Sequence, residues 1–160
     1  MGADFPTPTY IHNHEAVLSA YGYWPAFHDA PLLALEYSPA PASRIDLVVH
    51  TYELTPELDA EGFFGSTKHH VVHFRFADID DLELCNFDIP NELIEMLFSQ
   101  RTDADSQRFR VELVSVLGGD CVARFSAGSG EVVTVTPSNR DEFESSPIAE
   151  NARLRQLPPE

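Results

Sequence analysis

From Leu32 onward the chain runs as a succession of short segments in which apolar and polar residues alternate, separated by turn residues, with no long helical run between them. Parallel strands need a crossover of a dozen or more residues, usually helical, so this pattern excludes a doubly wound parallel sheet and points to antiparallel pairing. Arg44 to Leu54 sets Ile45, Leu47 and Val49 on one side and Asp46, Val48, His50 and Tyr52 on the other. Thr67 to Ala77 sets His70, Val72, Phe74 and Phe76 against His69, Val71, His73 and Arg75. Leu32 to Tyr37, Asp80 to Phe87 and Arg108 to Leu117 read as further strands, and Gly128 with Gly130 suggests a turn between strands at Cys121–Ser126 and Val132–Thr136. Residues 93–99 fit either a helix, through Leu93/Leu97 and Ile94/Phe98, or an apolar strand. Ahead of the strands, Asn13 to Tyr21 reads as a short helix with Asn13 as N-cap and Gly22 as its stop. The expected fold is α+β: one N-terminal helix packed on a curved, mainly antiparallel sheet or sandwich of six to eight strands. A flexible arm is expected over residues 1–12, a single domain over 13–136 and a surface tail over 137–160.

Charge narrows the function. Asp and Glu number 26 against ten Lys and Arg, a net charge of −16. Nucleic-acid binding requires a basic face to meet phosphates, and an anionic membrane surface makes the same demand, so neither partner is expected. A basic protein steered in by the field suits the charge better. No stretch approaches the roughly 20 apolar residues of a spanning helix, and Met1 to Pro6 lacks a basic and apolar leader pattern. The expected address is the cytoplasm. Cys85 and Cys121 form no Cys-x-x-Cys and read as small buried hydrophobes.

Seven histidines raise the question of metal. His69 and His73 share a strand face, but four residues of extended chain separate them by about 13 Å, too far to share one ion. His-Glu-x-x-His, Gly-x-Ser-x-Gly and phosphate-binding glycine loops are absent. No cofactor, metal site or catalytic residue is expected. The alternative from a different class is a metal-dependent enzyme using His28, Asp29 and the strand histidines.

The densest local signal is Tyr23-Trp24-Pro25-Ala26-Phe27-His28-Asp29-Ala30. Trp24 and Phe27 can anchor a turn in the core, Pro25 fixes its backbone and Asp29 can accept backbone N–H groups. Such a turn serves as a corner seating the helix against the sheet, or as a contact surface for a partner. At Gly22, Trp24, Pro25, Phe27, His28, Asp29 and Ala30 the sequence resembles the Immunity protein 50 family of bacterial polymorphic toxin systems, with Pro31 where that family usually carries Glu. A weaker likeness continues through the strands to about residue 135. The resemblance implies a small cytoplasmic α+β protein that binds and neutralises a cognate toxin by occlusion, without catalysis. It does not indicate the contact residues, the toxin's activity or the oligomeric state.

One stretch offers a contact surface on its own chemistry. Asp78, Asp80, Asp81, Glu83, Asp88, Glu92 and Glu95 contain no Lys or Arg among them, and the first basic residue of the chain is Arg44. An acidic face suits a basic, nuclease-like toxin. The same residues also read as a charged strand edge that discourages aggregation.

Overall fold

The computed structural model describes residues 6–27, 30–58, 60–62, 64–84, 91–100, 108–115 and 121–138. One helix, α1 (Glu15–Tyr21), precedes six strands: β1 (Pro31–Ser38), β2 (Arg44–Leu58), β3 (Phe64–Leu84), β4 (Asn91–Gln100), β5 (Phe109–Ser115) and β6 (Cys121–Pro137). All strand pairs are antiparallel, and their order β1-β2-β3-β6-β5-β4 closes into a barrel. The architecture is therefore mainly β with one short helix, and the sheet closes on itself instead of staying open or folding into a sandwich. Closure depends on the joint register of β1 and β4, which no local pattern announces.

Alternation builds the core. Ile45, Leu47 and Val49 of β2, Val72, Phe74 and Phe76 of β3, Val111 and Leu113 of β5, and Ala123, Phe125 and Ala127 of β6 are all fully buried. Strands β3 and β4 lie on opposite sides of the ring, yet the Phe98 ring of β4 is 6.1 Å from Phe74 and 6.3 Å from Phe76. The two walls thus meet through their side chains, as in small barrels whose interiors are packed.

Two pairs of expected strands merge. Thr67–Ala77 and Asp80–Phe87 belong to β3 as far as Leu84, because the strand continues through left-handed residues at Asp78 (φ 58°) and Asp81 (φ 52°) and a register shift between Asp80 and Glu83. Such a bulge bends a strand without ending it. Cys121–Ser126 and Val132–Thr136 are likewise one strand, β6. Its glycines mark close approach, not a turn. A Cβ on Gly130 would stand 2.9 Å from Ile11 Cδ1, Phe109 Cζ and Phe76 Cδ1, and one on Gly128 would stand 2.5 Å from Asp78 Oδ2. Residues 93–99 lie in a strand, with Met96 buried opposite Leu113.

The helix starts at Glu15, not Asn13. Asn13 is left-handed (φ 62°) and its Nδ2 donates to the Val132 carbonyl at 2.9 Å, leaving His14 in the cap position without a side-chain cap. Gly22 stops the helix in left-handed geometry (φ 81°), its N–H reaching the Leu18 carbonyl at 2.7 Å. Val17 and Tyr21 enter the barrel's core cluster. The arm expected over 1–12 is pinned at its end: Ile11 is fully buried, and His12 forms a parallel bridge with Glu131. β6 pairs with β5 only as far as Ala127, and the His12 segment takes up β6 beyond that point. Nearly all of the expected tail, from residue 139, lies outside the described residues.

Candidate functional site

The aromatic motif belongs to the closure of the barrel. β1 and β4 share two residue pairs, Pro31 with Glu92 and Leu32 with Asn91, and the chain just before β1 continues along β4, where the Met96 N–H donates to the Ala26 carbonyl at 3.1 Å. Trp24 is buried, with ring centroids 5.8 Å from Phe27, 6.2 Å from Phe74 and 5.6 Å from Phe98. It therefore ties opposite walls together from inside. Phe27, at φ 59°, packs 5.7 Å from Phe74, and its carbonyl accepts the Ala30 N–H at 3.2 Å. Pro25 and Ala30 are also buried. Trp24, Pro25, Phe27 and Ala30 thus carry packing, and Gly22 carries the helix stop. His28 and Asp29, the motif's polar pair, lie outside the described residues.

The acidic run divides. Asp78, Asp80, Asp81 and Glu83 project from β3, whereas Glu95 stands on β4 with β6 and β5 between them. Asp88 and the side chain of Glu92 lie outside the described residues. From Asp78 onward β3 outruns β2, and Ser43 caps the overhang: its carbonyl accepts the Asp78 N–H at 3.0 Å and its Oγ accepts the Ile79 N–H at 2.8 Å. Charges and bulges on such an overhang also guard an edge against strand addition.

Folding brings to this run the cations that sequence proximity lacked. Arg108 donates from Nη1 to Asp78 Oδ2 at 2.7 Å and from Nη2 to the Asp78 carbonyl at 2.6 Å, and Nη2 lies 3.3 Å from Asp80 Oδ2. Arg124 pairs with Glu83, and Arg110 Nε donates to Glu112 Oε1 at 3.0 Å. Register arranges these groups in rows across β3, β6 and β5: Asp80, Ser126 and Arg110 in one, Glu83, Arg124 and Glu112 in the next. Asp78, Asp80 and Glu83 remain exposed, with side chains 75%, 68% and 51% accessible, so the face is a salt-bridged ladder with an acidic rim at β3.

A second polar cluster lies on the outer face of β2 and β3. Asp46 Oδ1 accepts from His73 Nε2 at 2.8 Å and Arg75 Nε at 2.9 Å, while Arg44 Nε meets Oδ2 at 2.9 Å. Burial pushes the Asp46 carboxyl up, but the hydrogen bonds from His73 and Arg75 and the charges of Arg75 and Arg44 outweigh it and hold its pKa below the usual value. Four residues further along β2, His50 Nε2 lies 2.8 Å from His69 Nδ1, and Tyr52 stacks on His69 at 5.4 Å. His50 is buried, and burial together with the neighbouring His69 and His70 charges lowers its pKa to about 4. At the barrel end, the Tyr21 hydroxyl contacts Thr51 Oγ1 and donates to the Lys68 carbonyl at 2.9 Å. Burial raises its pKa to about 12, against the opposing effect of the Thr51 hydrogen bond.

His69 and His73 thus take separate partners on one face, and His70 turns toward Tyr21, 5.3 Å away. Among the described residues no group of three or more His, Cys, Asp or Glu is placed to hold a metal ion, and no helix is long and apolar enough to cross a membrane. The Asp46 and His50 pairings were missed from sequence. Their signal was the antiparallel register of two alternating segments, which places His73 diagonal to Asp46 and His69 diagonal to His50.

No family model, curated protein or solved structure matches this chain.

Proposed function

We propose that this protein is a cytoplasmic, non-catalytic immunity protein that neutralises a cognate toxin domain by occluding it, and that it binds through the outer face of β3, β6 and β5. The observation that carries the reading is the exposed acidic rim of β3, held in place by Arg108 and Arg124 on a closed and packed barrel. Fixed side chains on a rigid scaffold lose little freedom on binding, which favours tight occlusion. The acidic rim suits a basic, nuclease-like toxin and would speed its approach. Two further features support the reading. Of the motif residues that prompted the likeness to immunity proteins, Trp24, Pro25, Phe27 and Ala30 pack beside the closure of the barrel, as expected of a shared scaffold whose binding surface is free to vary. The ring contacts between opposite walls also direct recognition to the outside of the barrel.

The test is coexpression with a candidate toxin domain, sought among the genes neighbouring that of this chain. The expected result is survival of cells that the toxin alone kills, and co-purification of the two proteins as a stable complex. Unrelieved toxicity together with no complex would refute the reading.

A further inference from the structure

The Asp80–Ser126–Arg110 row of the β3–β6–β5 face holds an unsatisfied group. Ser126 stands on β6 directly opposite Asp80 of β3 on one side and Arg110 of β5 on the other. Its neighbours Phe125 and Ala127 belong to the core, so strand alternation turns Ser126 to the outer face. Even so the residue is 1% exposed, and its Oγ has no hydrogen-bond partner among the described residues. A buried hydroxyl without a partner opposes folding, and a site that keeps one calls for an explanation.

Asp80 supplies the other half. Arg108 is committed to Asp78 by bonds of 2.7 and 2.6 Å, while its approach to Asp80 is 3.3 Å, longer than a good charge-assisted bond. Asp78 can fold toward β6 because residue 128 is glycine: a Cβ there would stand 2.5 Å from Asp78 Oδ2. Arg108 and Asp78 are thereby held to one side, and Asp80 keeps acceptor capacity on the strand directly opposite Ser126. Asp81, exposed and left-handed, adds negative charge next to it.

The geometry points to a guanidinium subsite formed by Asp80 and Ser126, which takes one arginine side chain of a basic protein partner. The arginine directs two N–H groups to the Asp80 carboxylate and, once the neighbouring side chains shift to uncover it, a third to the Ser126 Oγ that is buried in the free protein. A planar fork of donors fits this pair of acceptors better than the single ammonium of lysine. An anionic ligand would face Asp80 itself. The subsite rests on the toxin-binding reading for the presence of a basic partner, but it is testable without any toxin.

The probe is N-acetyl-arginine methylamide, titrated into the isotopically labelled full chain by NMR, with the lysine analogue in parallel. The expected result is a saturable shift at the Asp80 and Ser126 amides, with arginine binding more tightly than lysine and the shift abolished in Asp80→Asn. Ser126→Ala should weaken binding by about fivefold, the loss of one hydrogen bond, and leave the melting temperature unchanged or raised, since the removed hydroxyl contributes nothing to the free protein. A residue of purely structural importance would not move those two readouts in opposite directions. Shifts spread over all exposed carboxylates without saturation, or equal binding in wild type and Ser126→Ala, would overturn the subsite. Neither result bears on protection against the toxin, so the subsite and the immunity reading can fail separately.

Discussion

Acid should weaken this barrel through His50. The side chain is 2% exposed on β2, beside His69, and burial with its histidine neighbours lowers its pKa to about 4 from the ordinary histidine value of 6.5. In the unfolded chain His50 takes up a proton as the pH falls through 6.5, and in the folded chain it does so only near 4. The unfolded state binds more protons throughout that window, so the stability contributed by a neutral His50 is complete above pH 6.5 and is lost as the pH drops toward 4. The full difference corresponds to about 3 kcal/mol, of which about 2 kcal/mol is lost between pH 7 and pH 5. The other titratable groups of the chain add their own pH dependence to the total. The informative quantity is therefore the difference between wild type and His50→Gln, measured by urea unfolding at both pH values. Wild type should lose about 2 kcal/mol more than the variant between pH 7 and pH 5. Equal losses would show that His50 is not held neutral in the folded state.

Trp24→Ala should destabilise the fold by about 3–5 kcal/mol, the range for removing a buried large aromatic, and should speed hydrogen exchange at the Met96 amide that bonds Ala26. Wild-type exchange at Met96 in a destabilised variant would separate the ring from seam closure. Gly130→Ala should cost about 1–3 kcal/mol by urea unfolding, since its Cβ meets two aromatic rings and Ile11 in a filled core, and an unchanged midpoint would show that those groups give way freely. Chelator should leave the melting temperature unchanged, with less than stoichiometric zinc, manganese and iron in the purified protein, whereas one bound metal per chain would favour the histidine-based enzyme instead.

The alternating segments were legible because burial acts on every second residue: Ile45, Leu47 and Val49, and Val72, Phe74 and Phe76, face inward as their spacing implies. Gly22 was legible as a helix stop for a similarly local reason, its left-handed backbone. What escaped depends on contacts distant in sequence. Gly128 and Gly130 carry a turn-like signal, and only the arrival of Asp78, Ile11, Phe76 and Phe109 shows that they make room within one continuous strand. Asn13 has the chemistry of an N-cap, but the Val132 carbonyl claims it. The acidic run looked uncompensated because Arg108 and Arg124 lie 30 and 41 residues from their partners, and the barrel brings them back. Closure itself follows from how far the sheet coils and where β1 meets β4, which alternation does not encode.

The central claim is that the acidic rim of β3 meets a basic toxin. It is tested most directly by the association rate of this protein with the toxin domain that it protects against in coexpression, measured against salt for wild type and for a variant carrying Asp80→Lys and Asp81→Lys. The expected result is association by wild type that is fast at low salt and falls steeply as salt rises, with a slower and nearly salt-independent rate for the variant. Identical rates and identical salt dependence for the two proteins would contradict the account.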